Sequence, residues 1–130
     1  MRKRVVGLAG VVLGAALVLA PVASPGGAKR GDVRVAGVCT KASTSKLKLS
    51  EEDGRIEVEF EVDQNRNGVR WTVVLSQNGG RIARLVRTTK APSGSFEARV
   101  LRPNLSGADR FTARATSRSG EVCTARATFA

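Results

Sequence analysis

The sequence predicts an all-β domain built as a two-sheet antiparallel sandwich of about seven strands. Three observations lead to this fold class. Apolar and polar residues alternate with a period of two over much of residues 46–130, and turn-forming residues recur about every ten positions. No apolar stripe with a helical period of 3.6 persists for three turns, so we expect no helix in this part of the chain.

The first 28 residues have the pattern of a secretory signal peptide. Basic residues occupy positions 2–4, an uncharged apolar run covers 5–20, and small turn-forming residues fill 21–28. The apolar run is shorter than the roughly 20 residues that a membrane-spanning helix needs. We predict cleavage after Ala28, with Ala23 as the alternative site, and an exported product without a transmembrane segment; an uncleaved N-terminal anchor is the competing interpretation.

The predicted mature chain is a single small domain with a basic net charge. Residues 29–130 carry 19 lysines and arginines against 11 acidic residues, a net charge of +8. We expect a flexible segment over residues 29–38, ending in at most a short strand, and one domain over 39–130. Basic exported proteins associate with anionic polymers, but the excess of Arg, Ala, Gly and Val is also typical of a GC-rich bacterial genome.

Cys39 and Cys123 are the two cysteines of the chain, and we expect them to form a disulfide. Export places them in an oxidising compartment, where pairing is the usual outcome. The alternative, a redox-active or metal-binding thiol pair, is disfavoured because the cysteines are far apart in sequence and the chain has no histidine. We therefore expect no metal and no cofactor.

Each predicted strand has its apolar residues in one phase. The strands cover residues 46–49, 55–62, 69–75, 81–88, 95–101, 110–116 and 121–130, separated by turns such as Asn78-Gly79-Gly80. The segment 81–88 alternates poorly and is predicted to be an edge strand. The large aromatic residues all fall on the inner side of their strands and form the predicted core: Phe60, Trp71, Phe96, Phe111 and Phe129.

Residues 105–111, Leu-Ser-Gly-Ala-Asp-Arg-Phe, continue through small apolar residues at 113 and 115 to Gly120. This stretch resembles the entry to the sixth strand of fibronectin type III and related immunoglobulin-like domains. The resemblance implies an immunoglobulin-like sandwich and leaves the function open. Phe111 stands where the family usually has tyrosine, so the corner hydrogen bond from a phenol cannot form.

Residues 55–75 change charge sign half way along, with glutamates on the polar side before residues 64–68 and Arg70 after them. We predict that the chain crosses there from one sheet to the other; a hairpin closed by Asn67-Gly68 within one sheet is the alternative. The crossover places the glutamates beside Lys46, Lys48 and Arg99 on a balanced face. It gives the other sheet a face of threonines and arginines, our candidate anion-binding residues: Arg70, Arg110, Arg114 and Arg126, extended by Arg81, Arg84 and Arg87.

This face predicts a secreted, monomeric, non-catalytic module that binds anionic cell-wall or extracellular polymer, because guanidinium groups hold phosphate or carboxylate through paired hydrogen bonds. Sequence-specific nucleic-acid binding is not expected, since no exposed aromatic is available for stacking. The alternatives are a protein-interaction domain, inhibitor or chaperone-like, using an edge strand or the loops 77–80 and 91–94, and a structural domain without a ligand. No enzyme is expected, because histidine and tyrosine are absent and the carboxylates point outward.

Overall fold

The computed structural model describes residues 31–130, and the predicted signal peptide with its cleavage site lies outside these residues. Within them the chain forms nine strands and no helix, so no helix there is long and apolar enough to cross a membrane. The strands are β1 (Val33–Ala36), β2 (Val38–Cys39), β3 (Thr44–Glu52), β4 (Arg55–Asp63), β5 (Arg70–Gln77), β6 (Gly80–Thr88), β7 (Ser95–Pro103), β8 (Asp109–Ser117) and β9 (Val122–Phe129).

The strands form two antiparallel sheets, which confirms the predicted fold class. Sheet A has the order β1-β3-β4-β7, and sheet B has the order β2-β9-β8-β5-β6. The chain crosses between sheets from β4 to β5, as the change of charge sign predicted. The alternative hairpin at Asn67-Gly68 is wrong, because β4 and β5 share no ladder.

Thr89, which is buried, holds the loop between β4 and β5 in place. Its carbonyl accepts from the Gly68 N–H at 2.8 Å, and its N–H donates to the Val69 carbonyl at 2.9 Å. Its hydroxyl accepts from the Val69 N–H and donates to the Arg66 carbonyl, at 2.9 and 2.6 Å. The backbone groups of the crossover are therefore satisfied without a hairpin ladder.

The N-terminal segment forms two short strands. The prediction of a flexible segment over residues 29–38 is therefore wrong for most of residues 31–38, the part of this segment that the structure describes. β1 pairs with β3 at one edge of sheet A, and β2 pairs with β9 at one edge of sheet B. The chain changes sheets at Gly37, whose N–H donates to the Ser45 carbonyl at 2.9 Å. A side chain there would collide with Ser45 and approach the Thr124 carbonyl. The sequence signal was weak because each of these strands is only a few residues long.

The core lies between the sheets and contains the five aromatic residues that the alternation placed inward, each at most 6% exposed. Trp71 of sheet B packs against Phe96 of sheet A, with ring centroids 5.8 Å apart and planes tilted by 50°. Its indole N–H donates to Gln64 Oε1 at 3.0 Å, which satisfies the polar group of an otherwise buried side chain. One aromatic pair thus joins the two layers beside the crossover loop.

The predicted disulfide is confirmed, and it lies within one sheet. Cys39 and Cys123 are directly opposite each other on β2 and β9, and 84 positions separate them in sequence. The bond fastens the N-terminal segment to the last strand. Since β2 has only two ladder pairs of its own, the disulfide is the main constraint that keeps this segment on sheet B.

A buried carboxylate, Asp109, joins the entry of β8 to neighbouring parts of the fold. Asp109 Oδ1 accepts from Gln77 Nε2 at 3.0 Å and from Asn78 Nδ2 at 3.1 Å, while Oδ2 accepts from the Leu105 N–H at 3.1 Å. These bonds join the β7–β8 connection to the end of β5. Gln77, proposed from the sequence as part of a contact loop, is instead buried, and it also accepts from Arg102 Nε at 3.0 Å.

Candidate anion-binding face

The outer face of sheet B carries an ordered pattern of arginine and threonine on β8 and β9. Residues directly opposite each other in an antiparallel ladder point to the same face. Three consecutive outward pairs each join one arginine to one threonine: Arg110 with Thr128, Arg126 with Thr112, and Arg114 with Thr124. The arginine changes strand at each step, so Arg110, Arg126 and Arg114 form what we call the arginine zigzag.

Strand geometry sets the spacing of the zigzag. Two residues along a strand advance about 6.8 Å, and neighbouring strands lie about 4.8 Å apart. Successive arginines of the zigzag are therefore attached to the sheet about 8 Å apart, and Arg110 and Arg114 are about 14 Å apart on the same strand. Each arginine of the zigzag is directly opposite a threonine on the neighbouring strand.

Arg81 and Arg84 extend the face onto the edge strand β6, as predicted. Arg84 is opposite Val74, which is in turn opposite Arg114, and Arg81 is opposite Ser76. Residues three apart normally lie on opposite faces of a strand. A bulge opposite Leu75 and Ser76 shifts the phase here, so both arginines share the outer face.

Arg87 does not lie on this face, contrary to the sequence prediction. It is three residues beyond Arg84 with no bulge between them, so it is opposite Trp71 in the inward phase. Its Nε donates to the Glu97 carbonyl on β7 at 3.1 Å. Arg87 therefore connects the two edge strands on that side of the sandwich and is not available to the outer face.

Arg70 lies on the predicted face but apart from the zigzag. It is opposite Thr88, and its carbonyl accepts from the Arg118 N–H at 2.9 Å. An uncharged row separates it from Arg114 and consists of Val122, Thr116, Thr72 and Val86. Sequence reasoning missed Arg118 as a neighbour of Arg70, because it lies in a turn and the pairing of β5 with β8 brings it close.

No acidic residue compensates the charge of this face among residues 31–130. The outward positions of β5, β6, β8 and β9 hold no aspartate or glutamate, and the face arginines form no ion pair with a described acid. Asp109 is buried, as is Glu121 before β9. Glu121 accepts from the N–H groups of Lys41 and Ser43 and from the Ser43 hydroxyl, at 3.1, 3.0 and 2.7 Å. The face is therefore strongly positive.

A hollow of about 610 Å³ lies at the Arg110 end of the zigzag. Its polar lining includes Arg110, Arg126, Thr112, Thr128 and Asn78. Asn78 is fixed there, because its Oδ1 accepts from the Arg110 N–H at 2.8 Å and its Nδ2 donates to buried Asp109. The hollow is thus lined by two guanidinium groups and two threonine hydroxyls, and the hydrogen bonds of Asn78 hold the backbone beside it.

The outer face of sheet A is balanced, as the sequence predicted. Three of its cations, Lys46, Lys48 and Arg99, are each within 4 Å of a glutamate on a neighbouring strand. The pairs are Lys46–Glu61 at 3.7 Å, Lys48–Glu59 at 3.9 Å, Arg99–Glu59 at 2.7 Å and Arg99–Glu57 at 3.6 Å. Such exposed pairs contribute little stability individually, but they leave sheet A without excess charge and so confine the uncompensated charge to sheet B.

Two glutamates on sheet A have pKa shifts of opposite sign. Burial opposes ionisation of Glu59, but the hydrogen bond and charge of Arg99, with Lys48, outweigh it and hold its pKa below the ordinary value. Burial and the neighbouring charge of Glu59 raise the pKa of Glu97, despite Arg99. The folded state therefore favours the carboxylate of Glu59 and disfavours that of Glu97.

We expect Glu97→Gln to stabilise the domain slightly at neutral pH and to have no effect near pH 3. A raised pKa in the folded state means that the carboxylate destabilises the fold above that pKa, and protonation removes the penalty. Exposed charges have small effects, so the melting temperature should rise by about 1–2 °C at pH 7. Glu59→Gln is the matched control and should lower it at pH 7, with a difference that shrinks as the pH falls through the lowered folded-state pKa of Glu59. Thermal unfolding of the three proteins at both pH values measures this, and stabilisation by Glu97→Gln that persists at pH 3 contradicts the assignment.

Cys39, Cys123 and Glu121 come close enough together to resemble a metal-binding group. Both sulfur atoms are joined in the disulfide, and the Glu121 carboxylate already accepts three hydrogen bonds. Thiolate is the form of cysteine that ligates metals. The cluster is therefore a structural junction between the 39–43 segment and β9.

The fold and the face together define the chain as a two-sheet antiparallel β-sandwich with one disulfide and one uncompensated basic face. The chain matches no protein-family model, no curated protein and no solved structure.

Proposed function

We propose that this protein is an exported, monomeric, non-catalytic module that binds an anionic polymer of the cell envelope or extracellular space through the outer face of sheet B. The observation that carries the proposal is the uncompensated charge of that face: arginines on four neighbouring strands, and no acid at an outward position of β5, β6, β8 or β9. A positive surface of this kind attracts polyanions over a distance that depends on salt.

The chemistry of the face supports an oxyanion ligand. A guanidinium donates two parallel hydrogen bonds to a phosphate, sulfate or carboxylate group, and neighbouring threonine hydroxyls add neutral donors. Arg110, Arg126 and Arg114 each have a threonine directly across the ladder. Since no described acid occupies these guanidinium groups, a ligand would not have to displace an existing ion pair.

The strand connectivity supports an immunoglobulin-like, fibronectin type III-like class within the sandwich architecture. The hairpin β3–β4 lies in sheet A, β5–β6 in sheet B, β7 in sheet A and β8–β9 in sheet B, so the chain crosses between sheets in the manner of a Greek key. Two features depart from antibody domains. The disulfide lies within one sheet, and Phe111 stands at the position of the corner tyrosine, while buried Asp109 supplies hydrogen bonds at this corner.

The carboxylates support a non-catalytic role. The buried pair, Asp109 and Glu121, use their oxygens to accept backbone and amide hydrogen bonds that join loops to strands. The outward glutamates of β4 are paired with cations. A general acid or base needs a proton-transfer position facing a substrate, and none of these groups is so arranged.

We expect Arg114→Glu with Arg126→Glu to elute from immobilised heparin at markedly lower salt than the unmodified protein. The double change reverses two charges within the uncompensated face, and polyanion binding falls steeply with the number of cationic contacts. Lys41→Glu with Lys90→Glu is the matched control, because it makes the same change in net charge at exposed loop positions away from the face. Equal losses in the two variants would show that net charge alone governs retention and would refute a binding role for the face.

The alternative of a protein-interaction domain gains less support from the geometry. Gln77 of the proposed contact loop 77–80 is buried and bonded to Asp109. The edge strands β6 and β7 lie beside each other. The Arg87 side chain already donates a hydrogen bond to the Glu97 carbonyl at the edge of β7. A charged side chain across a strand edge is a feature that discourages the addition of another strand.

A further inference from the structure

We propose that the arginine zigzag selects a linear phosphodiester chain of short polyol units, bound along the β8–β9 hairpin with successive phosphates on Arg110, Arg126 and Arg114. This inference rests on the proposed function and narrows it to one site and one ligand chemistry. It follows from three observations: the spacing of the zigzag, the burial of every described aromatic side chain, and the hollow at one end of the hairpin.

The spacing of the arginines sets the charge repeat of the ligand. Along the hairpin axis the zigzag presents one guanidinium about every 6.8 Å, the advance of two strand residues. Three backbone bonds of an extended chain span at most about 3.3–3.6 Å, so six bonds span about 7 Å. A polymer in which phosphates are joined through three-carbon units has six backbone bonds per charge, and its repeat therefore fits the zigzag.

A polysaccharide with one carboxylate on every second sugar ring fits less well. Its charges are separated by roughly ten backbone bonds, or about 11 Å. The carboxylates of such a chain could contact one or two arginines of the zigzag at once. They would not coincide with the third arginine, because the spacing of the carboxylates differs from that of the arginines.

Single-stranded nucleic acid has the same six-bond phosphate repeat, but the face lacks the groups that hold bases. Proteins that bind single strands stack bases on exposed aromatic side chains. The chain has four phenylalanines, one tryptophan and no tyrosine, and all five aromatic residues are at most 6% exposed. The bases would therefore remain in water and add nothing to binding, so the observations favour a phosphodiester chain without bases.

The hollow marks one end of the proposed binding site along the β8–β9 hairpin. Arg110 and Arg126 both line it, together with Thr112 and Thr128, and Gly79 of the β5–β6 turn forms part of its wall. The phosphates on Arg110 and Arg126 would both lie at this hollow, whereas the phosphate on Arg114 would lie outside it. We therefore place two successive phosphates at the hollow and the continuation of the chain toward Arg114.

The test compares three probes of equal charge number by isothermal titration calorimetry: a synthetic hexamer of glycerol phosphate, oligothymidylate, and a uronate oligosaccharide with one carboxylate per disaccharide. The glycerol phosphate hexamer is expected to bind most tightly. The variant Arg110→Gln with Arg114→Gln and Arg126→Gln should lower the slope of log Kd against log salt for this probe by about 2, from about 0.7 per contact. Arg70→Gln with Arg81→Gln and Arg84→Gln, which removes the same number of charges from the same sheet, should change the slope less.

The outcomes separate this inference from the proposed function. Equal affinity for the uronate and phosphate probes would overturn the spacing argument and leave general polyanion binding in place. Tighter binding of oligothymidylate would overturn the choice of a chain without bases, and equal slopes in the two triple variants would overturn the role of the zigzag. Failure of all three probes to bind would refute the proposed function itself. All six arginines are exposed or on the outer face, and thermal unfolding checks that the variants remain folded.

Discussion

Replacing Cys39 and Cys123 with serine is expected to lower the free energy of unfolding by about 4–5 kcal/mol. The disulfide closes a loop between positions 84 residues apart, and on the chain-entropy model a loop of this length restricts the unfolded state by that amount. The loss is a large share of the total stability of a small domain. The structure adds a local consequence: β2 retains only its two ladder pairs and the hydrogen bonds between Thr40 and Val122, so residues 38–40 should detach from β9 first.

Urea denaturation followed by the fluorescence of Trp71 measures this change, since Trp71 is the only tryptophan and is fully buried. Hydrogen exchange at Thr40 reports the local effect, because its N–H donates to the Val122 carbonyl beside the disulfide. Replacement of Ser93 and Ser119 by alanine, two exposed turn positions, controls for the number of substitutions. A loss below about 1 kcal/mol would mean that β1 and β2 hold the N-terminal segment without the covalent bond.

Asp109→Ala is expected to lower the free energy of unfolding by about 3–5 kcal/mol. The carboxylate is fully buried and accepts from Gln77 Nε2, Asn78 Nδ2 and the Leu105 N–H. Removing one partner of a buried hydrogen bond costs about 1–3 kcal/mol for each group left unsatisfied. Gln77 keeps a bond to the Pro103 carbonyl at 3.1 Å, so the total should fall below the sum of three full losses.

The same urea denaturation measures the effect of Asp109→Ala, and Asp32→Ala serves as the control because Asp32 is exposed near the N-terminus. Asp109→Asn should also destabilise, since its amide nitrogen would face a donor where a carboxylate oxygen now accepts. If Asp109→Ala changes stability as little as Asp32→Ala, the corner is held by packing of Phe111 and the hydrogen bonds are secondary. The difference in unfolding free energy between these two outcomes is large compared with the error of such measurements.

The sequence predicted the sheet assignment of the long strands because one physical pattern governs them. Period-two alternation fixes which residues point inward, and a change in outward charge marks a change of sheet. As predicted, the glutamates of β4 lie beside Lys46, Lys48 and Arg99, because pairs of opposite charge on neighbouring strands are favourable. The alternation also placed all five aromatic residues on the buried side.

The predictions that failed concern features that alternation does not encode. Arg87 was assigned to the outer face, but the bulge that brings Arg81 and Arg84 together does not extend to it. The sequence indicated at most one short strand at the end of the N-terminal segment, where β2 lies, and missed β1, because its stability comes from pairing with β3 rather than from its own four residues. The role of Asp109 was missed because its partners are distant in sequence, Gln77 and Asn78 lying more than 30 positions away.

The sequence by itself determined that residues 39–130 form a two-layer β fold with its aromatic residues inside, its cysteines paired, and one balanced and one basic outer face, because these properties depend on local alternation and on composition. Only the tertiary structure decided which arginines act together. The register of β8 against β9 produces the alternating Arg–Thr pairs of the zigzag, and the pairing of β5 with β8 leaves Arg70 beyond an uncharged row. Register is a relation between strands, and the spacing of charges on a sheet follows from that relation rather than from any one strand.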